Sequence, residues 1–305
     1  MSRGTAMRVL GAPLLLLAVA CLTFLLMRAA PGGPFDREKQ MPEQILRQLE
    51  AQYNLDGPVH EQMWNYLLSV ARGDLCISTQ YRNRTVNELI SQTLPVSMTL
   101  GATAFLIAVA GGSILGICAA AAHNRPLDYG LMMLALVGVS LPSFILGPLL
   151  ILVFSFWLGW FPVGGWGEAR QLWLPALALS LPYMAYITRL VRVSMLEVLG
   201  EDYVRTARAK GVPESRVLFI HAFRNAALPL VSYSGPLAAN ILTGSLVVET
   251  IFSVPGMGPF FVNSVLNRDV FLTGGVTLIY SALLITFNLL VDSAYAWLDR
   301  RIRLD

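Results

Sequence analysis

Residues 201–226 read EDYVRTARAKGVPESRVLFIHAFRNA and lie in the one long polar interruption of an apolar half of the chain. Cations up to Lys210 suit the last turn of a helix, because that end of a helix carries partial negative charge. Gly211 then ends the helix, since glycine adopts positive φ at little cost. Pro213 and Glu214 suit the first turn of a second helix. The stretch therefore predicts two short helices joined at a glycine.

The second helix combines apolar side chains with flanking arginines. Val217, Ile220 and Phe223 recur at helical spacing and predict an apolar stripe. Arg216 and Arg224 flank it. Between two membrane spans, such a stripe suits a groove on a partner protein. The alternative is a positively charged loop that only fixes the orientation of the chain in the membrane.

The composition of the 305-residue chain excludes an ordinary soluble domain. Hydrophobic residues make up 55% of it and charged residues 13%, whereas soluble domains are about a quarter charged. The formal net charge of +3 is small, and the basic residues flank apolar runs. They therefore indicate orientation in a membrane rather than nucleic-acid binding. The three cysteines are too few and too scattered for a disulfide framework.

Six apolar runs approach the roughly 20 residues that a membrane-spanning helix needs. They lie within Val9–Met27, Leu89–Asn124, Tyr129–Gly167, Gln171–Thr188, Asn225–Val248 and Val270–Val291. The first is longer than the roughly 7–15 apolar residues of a signal peptide, which favours a retained span over the alternative of a cleaved signal. The fourth is the shortest and contains Pro175 and Pro182. The sequence therefore predicts an all-α integral membrane protein with six spans.

The basic residues predict the orientation of these spans. With the N-terminus in the cytoplasm, thirteen of the 22 Lys and Arg fall in the inner segments, which are 1–8, 123–128, 189–224 and 299–305. The short outer loops hold only Arg170 and Arg268. The other seven fall in an outer segment of roughly 60 residues, which is too long to obey the charge rule. We therefore expect both termini in the cytoplasm.

Polar and small residues inside the apolar runs mark where helices or a substrate meet. Asn240 and Asn288 lie deepest and are candidates for a substrate pathway, with bridging between helices as the alternative. Glu249 and Asp292 lie at the ends of spans, near interfaces that we expect water to reach, which favours helix-end or subunit-packing roles over substrate contact. The small-xxx-small pattern of Gly112–Gly116 predicts close packing of two helices.

Several kinds of chemistry have no motif in this sequence. There is no Gly-x-x-x-x-Gly-Lys-Ser/Thr phosphate loop, no His-Glu-x-x-His and no Gly-x-Ser-x-Gly. His60, His123 and His221 are far apart and do not predict a metal site. We expect no catalytic residue, metal or cofactor in this chain, and no hydrolysis of ATP by it.

Residues 206–211 (TARAKG), followed by 224–226 (RNA) and 228–229 (LP), resemble the cytoplasmic coupling loop of ABC importer permeases of the dipeptide and oligopeptide branch. The general form of that loop has Glu-Ala-Ala ahead of the glycine, where this chain has residues 205–207 (RTA), so no role of that glutamate is carried over. The resemblance implies that this loop docks on an ATPase. The candidate coupling residues are Arg205, Thr206, Ala207, Lys210, Gly211, Arg216, Phe219, Ile220 and Arg224.

The resemblance covers nearly the whole chain. Residues 30–36, 53–58, 73–75 and 81–84 resemble the outer segment of the first permease of oligopeptide importers, although Cys76 stands where that family often has glycine. Residues 249–258 (ETIFSVPGMG) imply a re-entrant turn and a short helix after the fifth span. Arg300 stands where the family commonly has proline.

The resemblance implies a type I permease fold, a set of partners and a function. The expected division is a first span in 1–28, an external loop in 29–88 and a five-helix core in 89–305, with the coupling loop at 189–224. The expected partners are a second permease of the same fold, two ATPases that bind ATP and Mg²⁺, an external peptide-binding protein and the lipid bilayer, with no nucleic acid. The expected function is import of oligopeptides by alternating access through a bacterial cytoplasmic (inner) membrane.

Two alternatives to oligopeptide import stay open at this point. The same machinery serves dipeptides, nickel chelates or cell-wall peptides in relatives, because the binding protein largely chooses the cargo. A self-sufficient channel or secondary carrier is the alternative of another class. It would show a ring of pore-lining charges or internally repeated broken helices, and the sequence shows neither.

Overall fold

The computed structural model describes residues 3–30, 44, 47–48, 51, 53, 55–81, 83–242 and 246–298. Its helices are α1 (Arg3–Ala29), α2 (Val59–Ala71), α3 (Val86–Ala121), α4 (Pro126–Ser140), α5 (Ser143–Leu150), α6 (Ala169–Leu199), α7 (Asp202–Ala209), α8 (Glu214–Arg216), α9 (Phe223–Ala226), α10 (Leu228–Leu242), α11 (Leu246–Ile251), α12 (Met257–Leu266) and α13 (Val270–Leu298). Two π-helical segments, Ile151–Trp157 and Val217–Ala222, follow α5 and α8. Among the residues described, the only β pairing is an isolated bridge between Ile77 and Thr85. The predicted all-α fold is confirmed.

The predicted spans match helices of sufficient length and apolarity. Five candidate spans are Leu10–Ala29, Val86–Ala121, Ala169–Leu199, Leu228–Ile251 and Val270–Leu290. The sixth is the pair Pro126–Ser140 and Ser143–Trp157, which is bent by 112°. The bend follows from Pro142, because proline disfavours helical backbone in the residue before it, and Leu141 is indeed extended at ψ 121°. The third apolar run is therefore bent into two helices, which corresponds to a broken span or to a re-entrant loop.

Helix α6 differs most from its prediction. We expected the shortest span, ending at Thr188, and the structure instead has one helix of 31 residues from Ala169 to Leu199. The loop expected to begin at Arg189 therefore begins only at Gly200. Within this longer helix, Arg192 forms an ion pair with a carboxylate of another helix, which the local sequence does not reveal.

Helix α3 approaches α6 closely at two glycines. A Cβ atom on Gly112 would lie 2.7 Å from Ile187 Cβ, and one on Gly116 would lie 2.7 Å from the carbonyl oxygen of Thr188 and 2.8 Å from Val191 Cβ. Real Cβ atoms do not approach their neighbours so closely. The predicted close packing at Gly112–Gly116 is confirmed.

The described residues group into two compact units. The first takes in those of Met1–Ser97 and Pro255–Leu289. In its core, the ring of Tyr66 stacks on Phe24 at 5.5 Å between centroids and lies 6.1 Å from Phe271. Helix α12 is the short helix that the resemblance places after the fifth span.

The second unit takes in Met98–Val254 and the helical residues after Leu289. Helix α6 lies at its centre, because α4, α5, α7, α9, α10 and α11 all contact it. The division of the chain into 1–28, 29–88 and 89–305 stays a prediction. Residues 31–36, 54 and 82 of the family motifs, Arg300 and the tail after Leu298 lie outside the described residues.

Candidate coupling surface

Residues 202–226 form two short helical segments that meet at Gly211, and we call them the helical elbow. Gly211 has a φ of +75°. Its backbone N–H donates to the carbonyl oxygen of Arg208 at 3.0 Å, and the N–H of Val212 donates to that of Ala207 at 3.3 Å. This pair of bonds is the Schellman motif, which ends a helix at a left-handed residue. The predicted glycine cap is confirmed.

The second segment begins after Pro213, as predicted, and contains a π-helical turn. Pro213 is extended and precedes Glu214, the first helical residue. Within Val217–Ala222 the backbone hydrogen bonds join residues five apart instead of four. The N–H of Phe223, for example, donates to the carbonyl oxygen of Leu218. A π turn holds one more residue than an α turn, so it changes which side chains share a face.

Two side-chain contacts join the two segments of the elbow. Arg208 Nη2 and Nε donate to Glu214 Oε1 and Oε2 at 2.7 and 3.2 Å, across Gly211. Asn225 Nδ2 donates to the hydroxyl of Tyr203 at 2.9 Å. The hydrogen bond from Arg208 holds the pKa of Glu214 below its usual value. Both residues of this ion pair are well exposed, so its contribution to the elbow is modest.

The inner face of the elbow is apolar and includes a residue that we had assigned to the docking stripe. Val204, Val217 and Ala222 are fully buried, and Leu218 is buried as well. The π-helical segment contacts both α6 and α7. The predicted stripe is therefore wrong at Val217, because the π turn rotates this side chain away from Ile220 and into the unit.

The outer face of the elbow carries the exposed apolar residues. Phe219 is 46% exposed and Ile220 59%, and Arg216 and Arg224 on the same segment are exposed too. Of the nine predicted coupling residues, only Ala207 is half-buried, and the other eight are exposed. Two adjacent apolar side chains with cations on both sides can bind an apolar groove that has an acidic rim.

The two candidate pathway residues lie in different units. Asn240 is exposed on α10, and Asn288 is half-buried in α13. Their role stays a prediction. Glu249 differs from its prediction, because we expected water to reach it and it is fully buried in α11, a helix that packs against α5 and α6. The side chain of Asp292 lies outside the described residues.

Two buried carboxylates were missed in the sequence. Asp269 is fully buried. It accepts hydrogen bonds from Leu272 N at 3.0 Å, from Gln80 N at 3.2 Å and from the hydroxyl of Ser78. An aspartate just before an apolar helix is a helix-start signal that was available. Asp128, which binds Arg192, follows Pro126 in the first turn of α4, but the sequence gives no sign of its partner.

The chain matches known transport proteins along nearly its whole length. Residues 112–304 match the family model described as "Binding-protein-dependent transport system inner membrane component", and residues 1–101 match the corresponding N-terminal model. The chain is 46% identical to the oligopeptide transport system permease protein OppB of Salmonella typhimurium (strain LT2), over 92% of this chain and 93% of that protein. It is 45% identical to the dipeptide transport system permease protein DppB of Bacillus subtilis (strain 168), over 95% and 94%.

Proposed function

Because this chain belongs to the family of binding-protein-dependent transport system inner membrane components, we propose that it is the permease subunit of an ATP-driven peptide importer. The observation that carries this proposal is the helical elbow, with Phe219 and Ile220 exposed between arginines. Exposed apolar side chains that lie together and are flanked by charged residues are typical of surfaces that bind another protein. The proposed role of the elbow is to receive the ATPase subunits of the importer.

The docking residues divide into anchors and a rim. Phe219 and Ile220 supply apolar side chains that a groove can bury, and such anchors often carry most of the binding energy of an interface. Arg216 and Arg224 supply charge that orients the partner. Gly211 holds the two helical segments at a set angle, so that movement of a docked ATPase reaches both α6 and α10.

The proposed complex assigns the chemistry to other subunits. ATP and Mg²⁺ bind to two ATPases, a second permease of the same fold completes the membrane passage, and an external binding protein delivers the cargo. This chain supplies no catalytic residue. In the proposed orientation both termini and the elbow lie in the cytoplasm, as the distribution of arginines favours.

The cargo that we propose is a peptide, with oligopeptides before dipeptides. Relatives named for either cargo share 40–46% identity with this chain. Either Asn240 or Asn288, if its side chain faces the pathway, would offer an amide group that can bind the backbone common to all peptides. Scarce charge within the spans suits a pathway that tolerates varied side chains.

The test is reconstitution of the importer in proteoliposomes. This chain, its companion permease and the two ATPases are purified together, and uptake of a labelled tripeptide is measured with the binding protein outside and ATP inside. We expect uptake that needs ATP and every subunit. Uptake by this chain alone, driven by a proton or sodium gradient, would instead identify a secondary carrier.

A further inference from the structure

A buried ion pair joins the start of α4 to α6. Arg192 Nε donates to Asp128 Oδ1 at 2.6 Å, and Arg192 Nη2 donates to Asp128 Oδ2 at 2.7 Å. The side chain of Asp128 is 1% exposed and that of Arg192 20%. A bidentate ion pair of this kind fixes the relative orientation of the two side chains as well as the distance between them. Neither residue belongs to the coupling surface.

Residues of the turn between α3 and α4 contact the same carboxylate. The backbone N–H of Asn124 donates to Asp128 Oδ2 at 3.0 Å, and Asn124 has a positive φ of 59°. His123 Nδ1 lies 3.7 Å from that oxygen. Because Asp128 is in the first turn of α4, its charge also suits the positive end of the helix. One carboxylate therefore holds together the turn, the start of α4 and α6.

Helix α4 is held against α6 at a second point. A Cβ atom on Gly138 would lie 3.0 Å from Ala185 Cβ and 3.6 Å from the carbonyl oxygen of Leu181. Asp128 and Gly138 lie near the two ends of α4, and Arg192 and Ala185 follow in the opposite order along α6. The two helices therefore run antiparallel and are fastened near both ends of α4.

The ion pair joins the helix that leads into the helical elbow to the first half of the bent third run. Arg192 is in the last third of α6, which ends at Leu199 just before α7 begins at Asp202. We propose that Arg192 and Asp128 are positioning residues for transport, which make α4 follow α6 when the docked ATPases move the elbow. This proposal rests on the proposed function. Without the pair, only the contact at Gly138 would hold α4 against α6, and the turn at Asn124 would absorb the displacement at the start of α4.

The first test measures coupling in the full complex with an Asp128→Asn variant. Asparagine keeps the size of the side chain and one acceptor oxygen, but its NH₂ group faces N–H donors and the charge is lost. We expect tripeptides imported per ATP hydrolysed to fall at least fivefold, while ATP hydrolysis per assembled complex is retained. A purely structural role would lower the yield of complex and leave that ratio unchanged. An unchanged ratio would overturn the proposal.

Two further variants sharpen this test. Glu197→Gln removes an exposed carboxylate from α6 and should leave the ratio unchanged. Arg192→Gln should lower it as Asp128→Asn does, and the double variant should be no worse than either single one, because residues that act as a pair are not additive. Additive losses would contradict action through the pair.

Hydrogen exchange supplies a readout that does not depend on cargo. In the wild-type complex, amides in the first turn of α4 should change their exchange when ATP is added, and in Asp128→Asn this response should disappear. If the exchange of these α4 amides in the wild-type complex were the same with and without ATP, the inference would be overturned. Failure of that complex to import any peptide would instead overturn the proposed function, so the two failures can be told apart.

Discussion

At the scale of single residues, Gly211 offers a test of the elbow without a change in packing. Its φ is +75°, and an added Cβ would have no neighbour within 4 Å. Gly211→Val therefore costs only backbone strain, about 1–2 kcal/mol. We expect the variant to insert normally in the membrane but to lose most peptide uptake, measured in proteoliposomes at equal amounts of permease.

The matched control at this position is Gly211→Asn. Asparagine adopts the left-handed conformation more readily than other non-glycine residues, so most uptake should be retained. Equal uptake by wild type and by Gly211→Val would show that the angle at this residue does not matter for transport.

Glu214 gives the elbow a dependence on pH. The hydrogen bond from Arg208 lowers the pKa of Glu214 in the folded protein. A lowered folded pKa means that the ion pair stabilises the elbow above the unfolded pKa of Glu214 and that this contribution is lost as the pH falls through the folded pKa. Protection factors of the Gly211 and Val212 amides should therefore decline between pH 7 and pH 3. In Arg208→Gln the decline should be absent, and an equal decline there would rule out this pair as its cause.

At the scale of helices, the sequence predicted the glycine elbow. It did not predict which side chains of the second segment are buried and which are exposed. Gly211 and Pro213 constrain their own backbones, so their sequence alone is informative. The inward turn of Val217 depends on a π segment that packs against α6 and α7. The partner of Arg192 in α6 was likewise not predictable, because Asp128 lies 64 residues away in the sequence.

The docking role of the elbow predicts the effect of removing its apolar anchors. Phe219→Ala combined with Ile220→Ala should weaken retention of the ATPases on purified permease about tenfold, since anchors of this kind often contribute more than about 1–2 kcal/mol. Val193→Ala also removes an exposed apolar side chain, 53% exposed on α6, and should have no effect. Full retention by the double variant would limit this loop to fixing orientation.

Close packing of α3 on α6 predicts a loss of stability when one methyl group is added. Gly112→Ala would place a Cβ 2.8 Å from the carbonyl oxygen of Met184, and overpacking typically costs about 1–3 kcal/mol. Gly130→Ala adds the same group to α4, where nothing lies within 4 Å. In thermal unfolding in detergent we expect a lower Tm for Gly112→Ala alone, and equal values would mean that the helices are further apart.

At the scale of the whole molecule, the orientation is open to labelling with a membrane-impermeant thiol reagent. Gln62 would be a poor site because it is 5% exposed, so the exposed neighbour Glu61 is chosen. In a variant without native cysteines, Glu61→Cys should react from outside intact cells and Ser215→Cys only after lysis. The reverse pattern would place the elbow outside and exclude contact with cytoplasmic ATPases.

Five of the six predicted spans correspond to single helices of sufficient length, which was predictable because length and apolarity are properties of each run by itself. Pro142 predicted a bend in the third run. It did not predict the angle of 112°, which depends on packing. Burial of Asp269 and Glu249 also required the tertiary structure, since a charged residue at the end of a span has the same local sequence whether water or protein surrounds it.

The π turn in Val217–Ala222 also sets the rotational phase of the helix that follows. Helical bonding passes through Ala227, whose N–H donates to Phe223 O at 2.8 Å and whose carbonyl oxygen accepts from Val231 at 2.9 Å. One residue turns an α-helix by about 100°, so the extra residue in the π turn rotates α10 by about that angle relative to an uninterrupted α-helix. The direction in which the Asn240 side of α10 faces therefore depends on the number of residues in the π turn that precedes this helix. Loss of a single residue there would turn a different side of α10 outward without changing any of its own amino acids.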